Sequence, residues 1–479
     1  MGKRSHAGQR SSREIDGLGG VCAWVRAMQA GCLALFDFKR LILNDFKRQT
    51  NDFKRQTNKK DFCLLANPAL ARVFSMAKTR VLIPTVEEAR ERGVSSLVPD
   101  LAIYHVTSRV VHRQLLFSPD AKEEFRKFMR MYERFSGCRV LSYCVMTNHF
   151  HILLEVPPLR EAGSGGEVVG GVDLRIPESK LLRRLGGLYS RRVVDGVAAE
   201  IAKARRMIAG DWEGFERLSR ADQKTSREFW EETLIAIFER YTKRMHNLSL
   251  FMKGLLQRFT RWFNKENGLR GTLWEERFHS VIVEGGLACR MMAAYIDLNP
   301  VRAGICKMPE DYRWSSYGEA VGGGKGAKIA RSGLVRALHG HEGRIGTPRG
   351  WAQGGVAKEY RRILVVEGME QAEERGQRKG AKKLRVVTRK GRKREDAEKE
   401  LAELKQEDAR DLAIAKVVRC RVRYFTDGAV IGSRKFVNDA FKLNREHYSE
   451  KRKDGARKPR GALRDLVGEI WSMRDLQKE

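Results

Sequence analysis

No two of the eight cysteines (Cys22, Cys32, Cys63, Cys138, Cys144, Cys289, Cys306 and Cys420) form a C-x-x-C pair, and they lie scattered along 479 residues. That spacing argues against a zinc ribbon and against a secreted disulfide framework, and it implies reduced thiols in a cytoplasm. Long apolar runs are missing as well, because no stretch reaches the roughly 18 residues needed to cross a bilayer. The nearest, Val21 to Phe36, follows a basic start as a signal peptide would, but Arg26 interrupts it and no clean small-residue cleavage site follows. Acid is scarce: 60 Asp+Glu stand against 93 Lys+Arg, a formal charge of +33. An excess of that size draws the chain to polyanions, nucleic acid first and an anionic membrane surface second. The Gly-Lys in Gly322-Gly323-Gly324-Lys325-Gly326 lacks the following Ser or Thr and the spacing of a phosphate loop, so nucleotide hydrolysis has no support.

What the chain does have is 42% hydrophobic residues, enough for real cores, and a length with room for roughly three domains. Residues 1–75 differ from the rest. Asp37-Phe38-Lys39-Arg40 recurs within Asn44–Thr50 and again within Asn51–Thr57 as a seven-residue repeat. One Phe per heptad makes no coiled-coil seam, so no packing follows from the repeat. The segment is expected to be a leader translated from upstream repeat DNA, with Met76 as the working start; N-terminal sequencing of the native protein separates the two starts. Its 14 Lys+Arg and 6 Asp+Glu account for only +8 of the charge.

From residue 101 the pattern becomes regular. Leu101 to Val110 is β-rich, and Ser118-Pro119-Asp120 opens a helix carrying Phe125, Phe128, Met129, Tyr132 and Phe135 before Gly137 stops it. Cys138 to Val156 reads as two strands about a turn. Leu248 to Phe263 is an amphipathic helix, Trp274 to Val283 a strand, and Leu287 to about Leu298 a helix ended by Pro300. Without residues 158–247 the order is β-α-β-β-α-β-α, a ferredoxin-like split βαβ with one extra helix. The expected class is therefore α+β: an antiparallel sheet with helices on one face, built from 101–157 plus 248–320 and interrupted by a mainly helical insertion at 158–247. A Gly-rich and basic linker is predicted at 321–396, where Arg375 to Arg394 carries 11 basic residues and no acid. Residues 397–479 leave room for an accessory, mainly helical DNA-binding module. Tyr424-Phe425 and Arg434-Lys435-Phe436 there interleave aromatic and basic residues, as single-strand stacking requires and as a small charged-edged core also would.

His149-Phe150-His151 is the leading chemical feature. In a strand, residues i and i+2 share a face, so the two imidazoles sit side by side where a divalent cation could be held against a phosphate oxygen. Ordinary polar residues on an exposed strand face are the competing reading. His339-Gly340-His341 repeats the spacing in Gly-rich sequence without strand patterning and is read as surface. Tyr295 lies four residues before Asn299 on the last core helix, which puts phenol and amide on one face, while Asp297 should point elsewhere. A buried structural tyrosine is the alternative there.

Taken together, Val145-Met146-Thr147-Asn148-His149-Phe150-His151-Ile152-Leu153-Leu154-Glu155-Val156, then Gly271 to Phe278, Tyr295-Ile296-Asp297-Leu298-Asn299-Pro300-Val301-Arg302-Ala303-Gly304, and Trp314-Ser315-Ser316-Tyr317 closely resemble the REP-associated tyrosine transposases. These are single-tyrosine members of the HUH nuclease superfamily, and the likeness, over 101–157 and 248–320, spans a little over a quarter of the chain. The resemblance implies a ferredoxin-like domain that acts on single-stranded or hairpin DNA in transposition and recombination. It makes His149 and His151 metal ligands, Tyr295 the nucleophile, and Asn299 the residue completing the metal site, although Asn is a weaker ligand than carboxylate or imidazole. It also implies a divalent metal, Mg²⁺ or Mn²⁺, as cofactor and a 5′-phosphotyrosyl intermediate. Arg277 and Arg302 are candidate DNA contacts near the motif, with a structural role in the strand as the equal alternative for Arg277, and Lys382, Lys383, Arg389 and Lys390 are candidates in the basic run. The expected setting is a bacterial cytoplasm, at the nucleoid, with the chain as monomer or homodimer. A non-catalytic, domesticated DNA-binding protein is the competing class, and intact His149, His151 and Tyr295 weigh against it. An RNA-binding role rests on charge alone, without an aromatic RNA-recognition strand.

Overall fold

A computed structural model describes residues 102–111, 114–157, 167–169, 172–174, 176–340, 351, 355–367, 371–375, 384–389, 426, 428–445, 448, 450–457 and 470–474. The repeat-bearing leader, most of the basic run and residues 397–425 lie outside the described residues.

Strand β1 (Ala102–Arg109) leads to helix α1 (Pro119–Ser136). The helix starts where the sequence signals it: the Ser118 hydroxyl accepts the Ala121 N–H at 3.2 Å, Pro119 takes the first turn, and Gly137 ends it at a φ of 75°. β2 (Arg139–Val145) and β3 (His149–Val156) follow as a hairpin. The insertion then contributes a small hairpin, β4 (Glu167–Val169) with β5 (Val172–Leu174), and helices α2 (Glu178–Leu185), α3 (Arg191–Ala209) and α4 (Arg220–Thr242). The main fold resumes with α5 (Leu248–Glu266), capped by the Asn247 side chain on Leu250 N at 2.9 Å, then β6 (His279–Val283) and α6 (Leu287–Asp297). Short helix α7 (Asn299–Arg302), α8 (Ser316–Gly322), α9 (Gly324–His339) and α10 (Val356–Glu367) complete this part. Beyond it come the hairpin β7 (Gln371–Arg375) and β8 (Leu384–Arg389), strand β9 (Gly428–Gly432), helix α11 (Arg434–Leu443) and strand β10 (Trp471–Arg474).

The main sheet runs β10-β9-β6-β1-β3-β2. Its inner four strands, β6-β1-β3-β2, pair antiparallel throughout, which is the ferredoxin-like order expected from the sequence. Alternation sorts their side chains. Tyr104, Val106, Phe150, Ile152 and Leu154 meet Phe125 and Met129 of α1 and Phe251, Leu255 and Phe259 of α5 on one face. Leu141, Leu153, Val281 and Val283 meet α6, α9 and α10 on the other.

Three sequence expectations are corrected here. Helices cover both faces of the sheet instead of one, because β2 and β3 are buried along nearly their whole length and apolar residues such as Leu154 and Leu153 lie on opposite faces. The stretch expected to be linker is core from 324 to 367, interrupted by residues outside the described set: Ala327, Ala330, Leu334 and Leu338 recur at helical spacing and are buried, the last three in one cluster with Leu141. His339, first of the second histidine pair at that spacing, closes α9 with its Nε2 3.1 Å from a Glu359 carboxylate oxygen on α10. The third correction concerns 397–479, whose β9 pairs parallel with β6 and β10 antiparallel with β9, so its strands extend the main sheet and do not form a separate helical module. Gly428-Ala-Val-Ile-Gly432 is buried at every position, as a strand covered on both faces must be.

Gly333 shows how closely α9 lies on β2. A Cβ there would stand inside contact distance of the backbone carbonyl oxygens of Val140 and Leu141, neither of which can rotate away. Gly333→Ala is therefore expected to destabilise the protein by about 1–3 kcal/mol despite the better helix propensity of Ala, as urea unfolding would show. A neutral or stabilising result would mean that the helix stands off the sheet.

Candidate active site

The half of the histidine motif that faces α1 is apolar. Phe150 is fully buried and packs its ring 4.8 Å from that of Phe125, which locks the register of β3 against α1. His149 and His151 consequently face the other side, with ring centres 5.1 Å apart and planes at 80°. His151 is 4% exposed and His149 half-buried. Burial, reinforced by Arg109, brings His149 down to about 4, and burial with His149, His105, Arg302 and Arg109 holds His151 well below the usual imidazole range. Both rings are therefore neutral at pH 7 and present lone pairs, as ligand imidazoles must.

Their δ nitrogens are already engaged. The Asn148 carboxamide oxygen accepts from His149 Nδ1 at 2.6 Å, and His151 Nδ1 lies 3.0 Å from His105 Nε2. That leaves the two ε nitrogens for a cation, and the donor set suits one whose remaining ligands come from water or phosphate. Among the described residues no group of three or more His, Cys, Asp or Glu is arranged to hold a metal. Asn299, the expected third, turns its amide nitrogen to the carbonyls of Tyr295 and Ile296 at 3.2 and 3.3 Å and so caps the helix that carries Tyr295.

Tyr295 comes to the histidines from α6. Its ring centre is 5.8 Å from that of His151 and 6.0 Å from that of His105, edge-on to both. Arg302, one short helix further on, lays its guanidinium 4.2 Å from the Tyr295 ring centre and donates from Nη2 to the Tyr295 carbonyl. Arg302 was expected as a DNA contact; the structure packs it against the tyrosine. Tyr295 itself is 1% exposed and belongs to the buried cluster that also holds Leu141, Val281 and Leu334.

Asp297 points away from the site, as the helical spacing requires. Its carboxylate accepts from the Tyr360 hydroxyl at 2.6 Å and the Tyr317 N–H at 2.9 Å, with the Ser142 hydroxyl at 3.4 Å, and so pins the tyrosine helix to β2, α8 and α10. Burial raises this carboxyl to about 7 against the pull of those hydrogen bonds. A carboxyl raised above its unfolded value contributes stability that is complete below its unfolded pKa and is lost as pH rises through about 7. Unfolding free energy is expected to fall by up to about 1.4 kcal/mol per pH unit across that window on this account, and Asp297→Asn should flatten the slope. An unchanged slope in the variant would remove Asp297 as its source.

The remaining predicted contacts are dispersed. Arg277 is exposed on the loop before β6, where the Glu275 N–H donates at 2.9 Å to the carbonyl of Arg109, the register partner of His149. Arg389 ends β8, and Lys382, Lys383 and Lys390 lie outside the described residues. Sequence reasoning missed His105, fully buried on β1 beside His151. The signal available was its place in an alternating strand; the partner it meets depends on cross-strand register, which no single segment reveals.

Residues 100–162 match the family described as IS200-like transposases. The matched segment contains β1 to β3 and the histidine pair and stops short of Tyr295. No curated protein matches the chain. A solved structure of a REP-associated tyrosine transposase bound to a REP hairpin is similar over 46% of this chain and 79% of that chain, at 12% identity and a TM-score of 0.23. No helix among the described residues is long and apolar enough to cross a membrane.

Proposed function

We propose that this chain, whose residues 100–162 match the IS200-like transposases, is a metal-dependent DNA strand transferase that cleaves single-stranded or hairpin DNA with Tyr295. The observation that carries the reading is the meeting of Tyr295 with His151 at 5.8 Å, two groups that the sequence keeps far apart and the fold brings to one face of the sheet. In the reaction the phenol oxygen bonds to the scissile phosphorus while the bond from phosphorus to the 3′ oxygen breaks. The departing oxygen leaves as a 3′-OH and the DNA stays attached through a 5′-phosphotyrosyl link, which a free 3′-OH can later reverse without ATP. When bound by His149 and His151, Mg²⁺ or Mn²⁺ supplies neutralisation of charge on a non-bridging phosphate oxygen. Arg302, stacked on the Tyr295 ring and bonded to its carbonyl, holds the ring in place. Arg277 and the Lys and Arg of the basic run supply sequence-independent phosphate affinity, and the protein works at the nucleoid in the cytoplasm.

The covered ring of Tyr295 favours one other reading, a DNA binder without chemistry. Under the catalytic reading, DNA binding uncovers the ring, a local opening of the kind that completes many active sites. A labelled single-stranded hairpin incubated with the full chain and Mn²⁺ separates the two. A covalent protein–DNA band that requires the cation supports strand transfer; tight binding with no cleavage under any cation supports the binder.

A further inference from the structure

His105 belongs to no motif, is fully buried, and meets His151 by an imidazole-to-imidazole contact in which Nε2 of His105 and Nδ1 of His151 are 3.0 Å apart. The ring planes differ by only 7° while the centres are 5.2 Å apart. Parallel rings in face contact need about 3.5 Å between planes, more than the gap between these nitrogens, so the two imidazoles lie edge to edge in nearly one plane. An in-plane pair of neutral rings is an N–H···N hydrogen bond, with one ring donating and the other accepting. Register explains the approach: Thr107 is opposite His151 and His105 opposite Leu153, which makes His105 the diagonal neighbour of His151 on the same face.

The direction of that bond decides what His151 can do. If His105 donated from Nε2, His151 would keep its proton on Nε2 and could not ligate through that nitrogen. If His151 donates from Nδ1, its Nε2 carries the lone pair. His149 needs no such help, because the Asn148 carboxamide oxygen can only accept and therefore holds the His149 proton on Nδ1. We infer that His105 is a positioning residue: it accepts from His151 Nδ1, sets that ring's tautomer and aims its Nε2 at the cation. This rests on the reading of His149 and His151 as cation ligands, and it assigns the work that a carboxylate or carbonyl does beside many metal-bound histidines to a third imidazole.

The test uses the full chain and Mn²⁺ alone, with affinity read by titration calorimetry and no DNA present. His105→Leu fills the space without an acceptor and is expected to weaken Mn²⁺ binding about 10–100-fold. His105→Gln, whose carboxamide oxygen can accept from His151 Nδ1, is expected to recover most of that loss, a rescue that mere space-filling would not give. Ring-¹⁵N-histidine spectra of the unsubstituted protein should show the His151 proton on Nδ1. Binding by the unsubstituted chain that His105→Leu leaves unchanged, or a His151 proton found on Nε2, overturns the inference alone. Absence of Mn²⁺ binding by the unsubstituted chain overturns the cation-ligand reading and this inference with it.

Discussion

Tyr295→Phe is expected to bind hairpin DNA within about twofold of the unsubstituted chain and to lose covalent cleavage by on the order of a thousandfold or more. The substitution removes one oxygen and leaves the ring that touches His105, His151 and Arg302, so packing and cation–π contact survive. Stability should change by about 1 kcal/mol or less, the worth of one hydroxyl hydrogen bond. The two readouts therefore separate, and denaturing gels beside a binding titration check them. An adduct that persists in Tyr295→Phe would take the tyrosine out of the reaction, and a binding loss equal to the cleavage loss would make it a DNA contact.

The second large effect concerns the scaffold. Glu319 on α8 is buried and accepts from Arg130 at 2.6 Å, from the Tyr143 hydroxyl at 2.9 Å, and from Arg126. Arg130 is 5% exposed and also pairs with Glu133 at 2.7 Å, so the cluster clamps α1 to α8 past the edge of β2. Removing one partner of such a group leaves buried charge uncompensated, which costs more than the intact pair contributes. Glu319→Ala is expected to lower the unfolding free energy by about 3–5 kcal/mol and the melting temperature by roughly 10 °C. Glu319→Gln, which keeps an acceptor but not the charge, should lose less. Calorimetry that finds Glu319→Ala within about 1 kcal/mol of the unsubstituted chain would show that solvent reaches both arginines.

Most of the fold around the candidate site was legible because its signals are local. Ser118-Pro119 and Gly137 bracket α1 by capping chemistry, and Phe150 between two histidines declares a strand with one apolar and one chemical face. The parts that sequence reading missed depend on partners remote in the chain. The Gly content after Gly322 suggests a linker, yet Gly333 is there so that α9 can touch β2 backbone. Gly428 to Gly432 is too short to declare itself a strand until β6 offers it an edge. In the candidate site, residue type and spacing single out His149, His151 and Tyr295, while the roles expected of them come from the resemblance. They do not single out His105, because only the β1–β3 register makes it a neighbour of His151, and the packing of Arg302 on Tyr295 needed the turn between α6 and α7.

Mass spectrometry of the adduct formed on a hairpin with Mn²⁺ tests the central claim most directly. Protease digestion followed by nuclease trimming should leave a nucleotide joined through its 5′ phosphate to the peptide containing Tyr295, at that residue's oxygen. A linkage to any other residue, or one through a 3′ phosphate, would contradict the account.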